Sequence, residues 1–163
     1  MNQRTDLDSF VDYYIINEFF QNYDAGVRST FLYKNIGGKF CIGPVWDFDG
    51  AFNNYFDAYF TIDMLKTRES FYFSYFFHND EFLERCCERY AELRKTLLSE
   101  EYLLKYIDES SAYLGSAALR NCDKWYNGDD SIYYDDIEKM KTFVVERGNW
   151  LDEHFIEYTA IVR

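Results

Sequence analysis

The chain has 163 residues, a length that suits one domain and removes roughly two thirds of the unfolded surface from water. Hydrophobic residues make up 48% and aromatic residues 21%, too many large apolar side chains for an intrinsically disordered segment. The 17 Lys and Arg against 29 Asp and Glu set a formal charge of −12, the wrong sign for a nucleic-acid backbone, and charges interrupt every apolar run short of the ~20 residues that a membrane span needs.

Met1 to Leu7 has no apolar core and does not read as a signal peptide in this chain. Leu7, Phe10, Val11, Tyr14 and Ile15 recur at helical spacing, and Ser9 followed by Asp12 resembles a capping box, so a helix is predicted over residues 8–22. Two β-favouring runs separated by Gly37-Gly38 predict a β-hairpin over residues 30–46, with Pro44, the only proline, marking an edge or the exit of the second strand. Residues 47–78 are aromatic and irregular in pattern, and read as an ordered segment with short helices whose rings fill the core rather than form an exposed patch.

Helices are predicted over residues 79–162. The first is capped by Asn79 or Asp80 and carries Phe82, Leu83, Cys86, Tyr90, Leu93 and Leu97 on one face. The second runs from Ser99 to about Cys122, before the polar turn at residues 127–131. The third starts near Asp135, with a stripe of Ile137, Met140, Phe143, Val144, Trp150, Leu151, Phe155 and Tyr158 and a break at Gly148. Cys41, Cys86, Cys87 and Cys122 contain no C-x-x-C pair, and only two histidines accompany them, so they read as free thiols rather than a zinc site.

Chemistry concentrates in "GPVWDFDGAFNN", where Asp47 and Asp49 follow directly on a strand. Period-2 geometry places both on one side, and hard oxygen ligands suit a divalent cation. Alone, D-x-D also fits a pair of acids capping a turn. Asp24 lies after the first helix, and the hairpin between it and Asp47 returns the chain so that the two acids reach one site.

The runs "NEFFQNYD" and "GPVWDFD", with "ERGNWLDEHF" as weaker support, resemble the CotH kinase family of spore-coat and secreted atypical protein kinases, in order along almost the whole chain. The resemblance implies an α+β, mostly helical fold: a protein-kinase-like C-terminal lobe, with the hairpin carrying the metal motif and helices forming a bundle. It implies transfer of the ATP γ-phosphate to Ser or Thr of a coat, surface or secreted protein, with Mg²⁺ or Mn²⁺. Asp24 matches the catalytic-loop aspartate and Asp47 the metal ligand; Asp49 is assigned to metal support, Asn22 or Asn17 to a further metal contact, and Trp46 to the nucleotide pocket. Asn53 and Asn54 stand where the family usually shows a glycine. No segment before Asp8 provides the lobe that covers ATP and contributes a phosphate-binding Lys, so the chain is expected to work with an upstream N-terminal lobe and to be inactive alone.

Two rival readings remain. The chain could be a degenerate lobe that binds protein or glycan through its aromatic residues. Alternatively "VWDFDGAF" resembles the first motif of haloacid-dehalogenase-type phosphatases, with Asp47 as nucleophile and Asp49 as general acid and base, although Ala51 replaces the usual Thr and the chain lacks the alternating strands and helices of a doubly wound sheet.

Overall fold

The computed structural model describes residues 4–54 and 61–160, with side chains up to Phe155. It is mostly helical. The described elements are α1 (Leu7–Phe19), β1 (Leu32–Lys34), β2 (Phe40–Ile42), a 3₁₀ turn (Thr67–Glu69), α2 (Phe71–Phe76), α3 (Asp80–Arg94), α4 (Glu100–Leu114), α5 (Ser116–Trp125) and α6 (Ser131–Ala160). The described strands form one antiparallel pair, with Leu32 opposite Ile42 and Lys34 opposite Phe40. This is an α+β, mainly helical architecture; the doubly wound parallel sheet of a dehalogenase-type phosphatase is not found among the described residues.

α1 is the central helix and is buried almost all round, from Leu7 to Phe19. Its cap is Asp6 rather than Ser9: Asp6 Oδ1 accepts from the Ser9 backbone N–H at 3.1 Å, while the strand-like lead-in fixes where the helix begins. Phe40 N–H donates to Arg4 O at 2.8 Å, and Asp6 N–H donates to Phe40 O at 2.7 Å. The N-terminal segment thus runs beside β2 and turns into α1 at a residue able to satisfy an orphan amide.

The rings of α2 fill the space between α1 and α3. Phe10 stacks on Phe76 at 4.6 Å, Tyr14 meets Phe77 edge-on at 5.1 Å, and Phe82 contacts Phe76 at 5.1 Å. Phe73, Phe76 and Phe77 of the aromatic segment are buried and so are core, as is Phe82 of α3, while Phe71 and Tyr75 face out. Each ring that leaves water adds about 1.5–3 kcal/mol, which makes this cluster a principal source of stability. The aromatic run at residues 55–60 and the side chain of Tyr158 lie outside the described residues.

Asn79 caps α3 by accepting from Phe82 N–H at 3.2 Å, and Phe82, Leu83, Cys86 and Tyr90 form its buried face. Leu97 is exposed beyond the helix end, and Leu98 is buried instead. Ser99 caps α4. The helix then stops at Gly115, whose φ of +45° lies in the left-handed region, so the single helix expected through Cys122 is two. Tyr113 and Leu114, in the last turn of α4, are exposed.

α6 begins four residues ahead of Asp135, where Asp129 Oδ1 accepts from both Ser131 N–H and Oγ–H. It runs without a break through Gly148. Glycine is there for space: a Cβ would stand 3.0–3.1 Å from the Arg94 guanidinium, which crosses α6 at that point. Arg94 is fixed by Asp152, with Nε to Oδ1 at 2.8 Å and Nη2 to Oδ2 at 2.7 Å, and by the Leu98 carbonyl. The fork joins the end of α3 to the middle of α6.

Candidate functional site

The site grows from the C-terminal end of α1. After Phe19 the helix cannot continue, because Gln21 takes a φ of +48°. Asn22 then folds back: its N–H donates to Asn17 O at 3.0 Å, and its Nδ2 donates to Asn17 Oδ1 at 3.0 Å. Asn17 in turn donates to Tyr13 O at 2.8 Å. The predicted helix over residues 8–22 therefore ends three residues early, in a buried amide pair that satisfies the last turn. Asn17 spends its side-chain oxygen on this pair and is buried away from any ligand.

Asp24 opens the next turn, with its carbonyl accepting from Val27 N–H at 3.1 Å and Arg28 N–H at 2.8 Å. Gly26 anchors the turn to the body: its φ is +76°, and a Cβ would lie 2.3 Å from the buried Ser70 Oγ. No side chain fits between them. Thr30 Oγ1 accepts from Gly26 N–H at 2.9 Å and sits 3.2 Å from the Tyr13 hydroxyl, so the loop carrying Asp24 is tied to α1 as well.

The hairpin of β1 and β2 then returns the chain. β2 ends at Ile42 and Gly43–Pro44 is a cis peptide. Trp46 is 58% exposed and meets Phe31 edge-on at 6.5 Å. Asp47 has a φ of +62°, and its Oδ2 accepts from Ser29 Oγ–H at 3.0 Å. Asp49 accepts from Gly50 N–H at 2.9 Å. The loop after it is fastened to α1 by Phe52 N–H donating to Phe20 O at 2.9 Å, and Phe52 packs against Phe20 and Phe143. Phe52 and Asn53 both have φ of +58°. Asn is among the residues that best tolerate this left-handed backbone, and Asn54 does not adopt it.

These two segments enclose a cleft of about 400 Å³ lined by Asn22, Tyr23, Asp24, Asp49, Gly50, Asn53 and Asn54. Asp24 and Asp49 thus share one cleft, as does Asn22. Asp47 and Trp46 stand outside its lining, Asp47 on Ser29 and Trp46 on the outer side of the hairpin. Asn22 is only 2% exposed, and its Oδ1 is buried without a hydrogen-bond partner. A buried carbonyl oxygen with spare capacity beside two carboxylates is a hard-oxygen donor set that fits Mg²⁺ or Mn²⁺. Among the described residues no group of three or more His, Cys, Asp or Glu is gathered closely enough to hold a metal by itself. A cation here would complete its shell with the Asn22 amide oxygen, water and phosphate, the habit of Mg²⁺.

The floor under this site was not foreseen. Glu18 and Arg147, both fully buried, pair at 2.9 Å, and the Glu18 carboxylate accepts from the backbone N–H of Lys66 and Thr67 at 2.8 Å and of Arg68 at 3.3 Å. Arg147 also donates to the carbonyls of Ile62 and Met64, and Gln21 donates to Thr61 O at 2.8 Å. Burial pushes the Glu18 carboxyl up and the Arg147 guanidinium down, each against the pull of its partner. Together they clamp residues 61–68 to the end of α1. The sequence held a signal: Asn17 and Glu18 in the last turn of an apolar helix, with Gln21 and Asn22 just past its end, are four polar residues that are all buried and so need a network of partners.

The CotH kinase protein family matches residues 1–151 of the chain, most of its length, and the chain belongs to that family. The match takes in both segments of the cleft and the Arg147 clamp. Neither the curated proteins nor the solved structures offer a significant match. No helix among the described residues is long and apolar enough to cross a membrane.

Proposed function

We propose that the chain is the catalytic-lobe part of a CotH-type protein kinase, which transfers the ATP γ-phosphate to a Ser or Thr hydroxyl of a coat, surface or secreted protein. The observation that carries this reading is the convergence of Asn22, Asp24 and Asp49 on one cleft, with the buried Asn22 Oδ1 lacking a hydrogen-bond partner. Asp24, on the turn after α1, orients the acceptor hydroxyl and takes its proton. Asn22 and Asp49 would hold a Mg²⁺ or Mn²⁺ ion in the cleft, with Asp47 as a further ligand. The ion, when bound, neutralises charge on the transferred phosphoryl group, which the −12 chain would otherwise repel.

The outer side of the hairpin supports an upstream N-terminal lobe as a partner. Val27, Phe31, Tyr33, Ile36, Val45 and Trp46 are all more than two fifths exposed within 20 residues of sequence, a concentration of apolar surface that marks an interaction site. Trp46, at the end of this surface nearest Asp47, would contact the nucleotide once the covering lobe is in place. The same surface also favours a second reading, a degenerate lobe that only binds protein or glycan.

Binding of a fluorescent ATP analogue separates the two. The kinase reading expects binding that needs Mg²⁺ and is lost in Asp47→Ala and Asp49→Ala, in the chain joined to its upstream lobe. Binding that is absent, or indifferent to both substitutions and to the metal, would leave the interaction module.

A further inference from the structure

Ser29 lies in the turn between Asp24 and β1, a position that no catalytic motif marks. Its side chain spans 18 residues to reach Asp47 across the base of the hairpin, donating to Oδ2 at 3.0 Å. Both residues adopt the left-handed backbone, Ser29 at φ +46° and Asp47 at +62°, a conformation that non-glycine residues hold only when their surroundings impose it. Asp47 makes no ion pair among the described residues, and its Oδ1 accepts no hydrogen bond there. The Ser29 hydroxyl is thus the group that sets the direction of this carboxylate.

We propose that Ser29 is a positioning residue for Asp47: its hydroxyl ties Oδ2 and leaves Oδ1 turned out to meet a divalent cation at the rim of the cleft. This rests on the kinase reading, in which Asp47 is a metal ligand. A ligating carboxylate is ordinarily steered by a hydrogen bond to its other oxygen, and loss of such a partner weakens metal binding by about 10–100-fold. The tie also joins the loop of Asp24 to the strand exit of Asp47.

The test is Mn²⁺ binding to the full chain, measured by electron paramagnetic resonance with and without ATP, for the wild type and for Ser29→Gly, Ser29→Asn and Asp47→Ala. Glycine suits the positive φ but has no donor; asparagine tolerates the same φ and supplies an N–H. Ser29→Gly is expected to melt no lower than the wild type yet bind Mn²⁺ about 10-fold or more weakly, with Ser29→Asn close to the wild type. A purely structural serine would show the reverse, with binding unmoved in the glycine variant. If Asp47→Ala loses Mn²⁺ while Ser29→Gly keeps it, the role given to Ser29 is wrong and the metal reading stands. If Asp47→Ala binds as the wild type does, or the wild type takes up no Mn²⁺ in either condition, both fall together.

Discussion

Glu18 and Arg147 stand 129 residues apart in sequence and form an ion pair from which water is wholly excluded. The pair joins the last turn of α1 to α6 and, through three backbone amides, holds the 3₁₀ turn beneath the cleft. Removing one partner strands a buried charge. Arg147→Met and Glu18→Gln should each lower stability by about 3–5 kcal/mol, and the double variant should cost less than the two together. Urea denaturation of the three variants measures this; additive losses would show that the two groups act separately.

Gly148 and Arg94 make a second pair whose coupling can be read directly. An alanine in the middle of α6 would ordinarily add up to about 1 kcal/mol of helix stability over glycine. Here its Cβ would press on the Arg94 guanidinium, which Asp152 and the Leu98 carbonyl hold in place. Gly148→Ala alone should therefore give no gain, whereas the same change made on top of Arg94→Ala should stabilise. Thermal melts of the four proteins in this cycle settle the sign.

Alkaline pH should unfold the chain steeply. Burial pushes the Tyr14 phenol well above its usual range, with the Glu18 charge adding to it, and pushes Tyr90 up likewise, helped by its hydrogen bond to Asp152. In the unfolded chain both release their protons near pH ~10. The folded state keeps them, so it binds more protons, and stability is fully present below pH ~10 and falls as the pH rises beyond it. Each tyrosine contributes up to about 1.4 kcal/mol per pH unit. Denaturation midpoints from pH 9 to 11, with Tyr90→Phe showing a shallower decline, check the direction.

Thiol chemistry should sort the cysteines by burial. Cys86 is fully buried on the inner face of α3, and desolvation pushes its thiol far above the ordinary value, so almost no thiolate forms at neutral pH. Cys122 is buried as well, while Cys41 and Cys87 are partly exposed. Iodoacetamide at neutral pH should label Cys41 and Cys87 in the native protein and reach Cys86 only after denaturation. Early labelling of Cys86, located by peptide mass, would mean that α3 opens from the core.

Much of this architecture was legible because it obeys local periodicity. The apolar spacing of α1 and α3, the Gly37-Gly38 turn and the caps at Asn79 and Ser99 are short-range features, and each left its mark in neighbouring residues. Gly148 and Gly115 show the limit. Both interrupt helical patterns, but Gly148 makes room for an arginine from another helix, and Gly115 turns the chain; the difference lies in what stands opposite, which periodicity does not carry. At the candidate site, Asp24 and Asp49 line one cleft, whereas Asp47, the acid expected to reach Asp24 through the hairpin, stands outside that lining. The stance of Asp47 on Ser29 depends on a contact over 18 positions, and the partner of Glu18 lies 129 positions away; the polar residues at the end of α1 hint at a buried network but do not name Arg147 as its other half.

The most direct test of the kinase reading is transfer of labelled γ-phosphate from ATP to a Ser- and Thr-containing protein in Mg²⁺ or Mn²⁺. It compares this chain alone, this chain joined to the N-terminal lobe proposed as its partner, and that longer form with Asp24→Asn and Asp47→Asn. Transfer by the longer form, lost in both variants while their helical circular dichroism is unchanged, is the expected result. Transfer that persists in either variant would remove that aspartate from the chemistry, and no transfer or ATP binding in any form would contradict the assignment of the cleft to phosphoryl transfer.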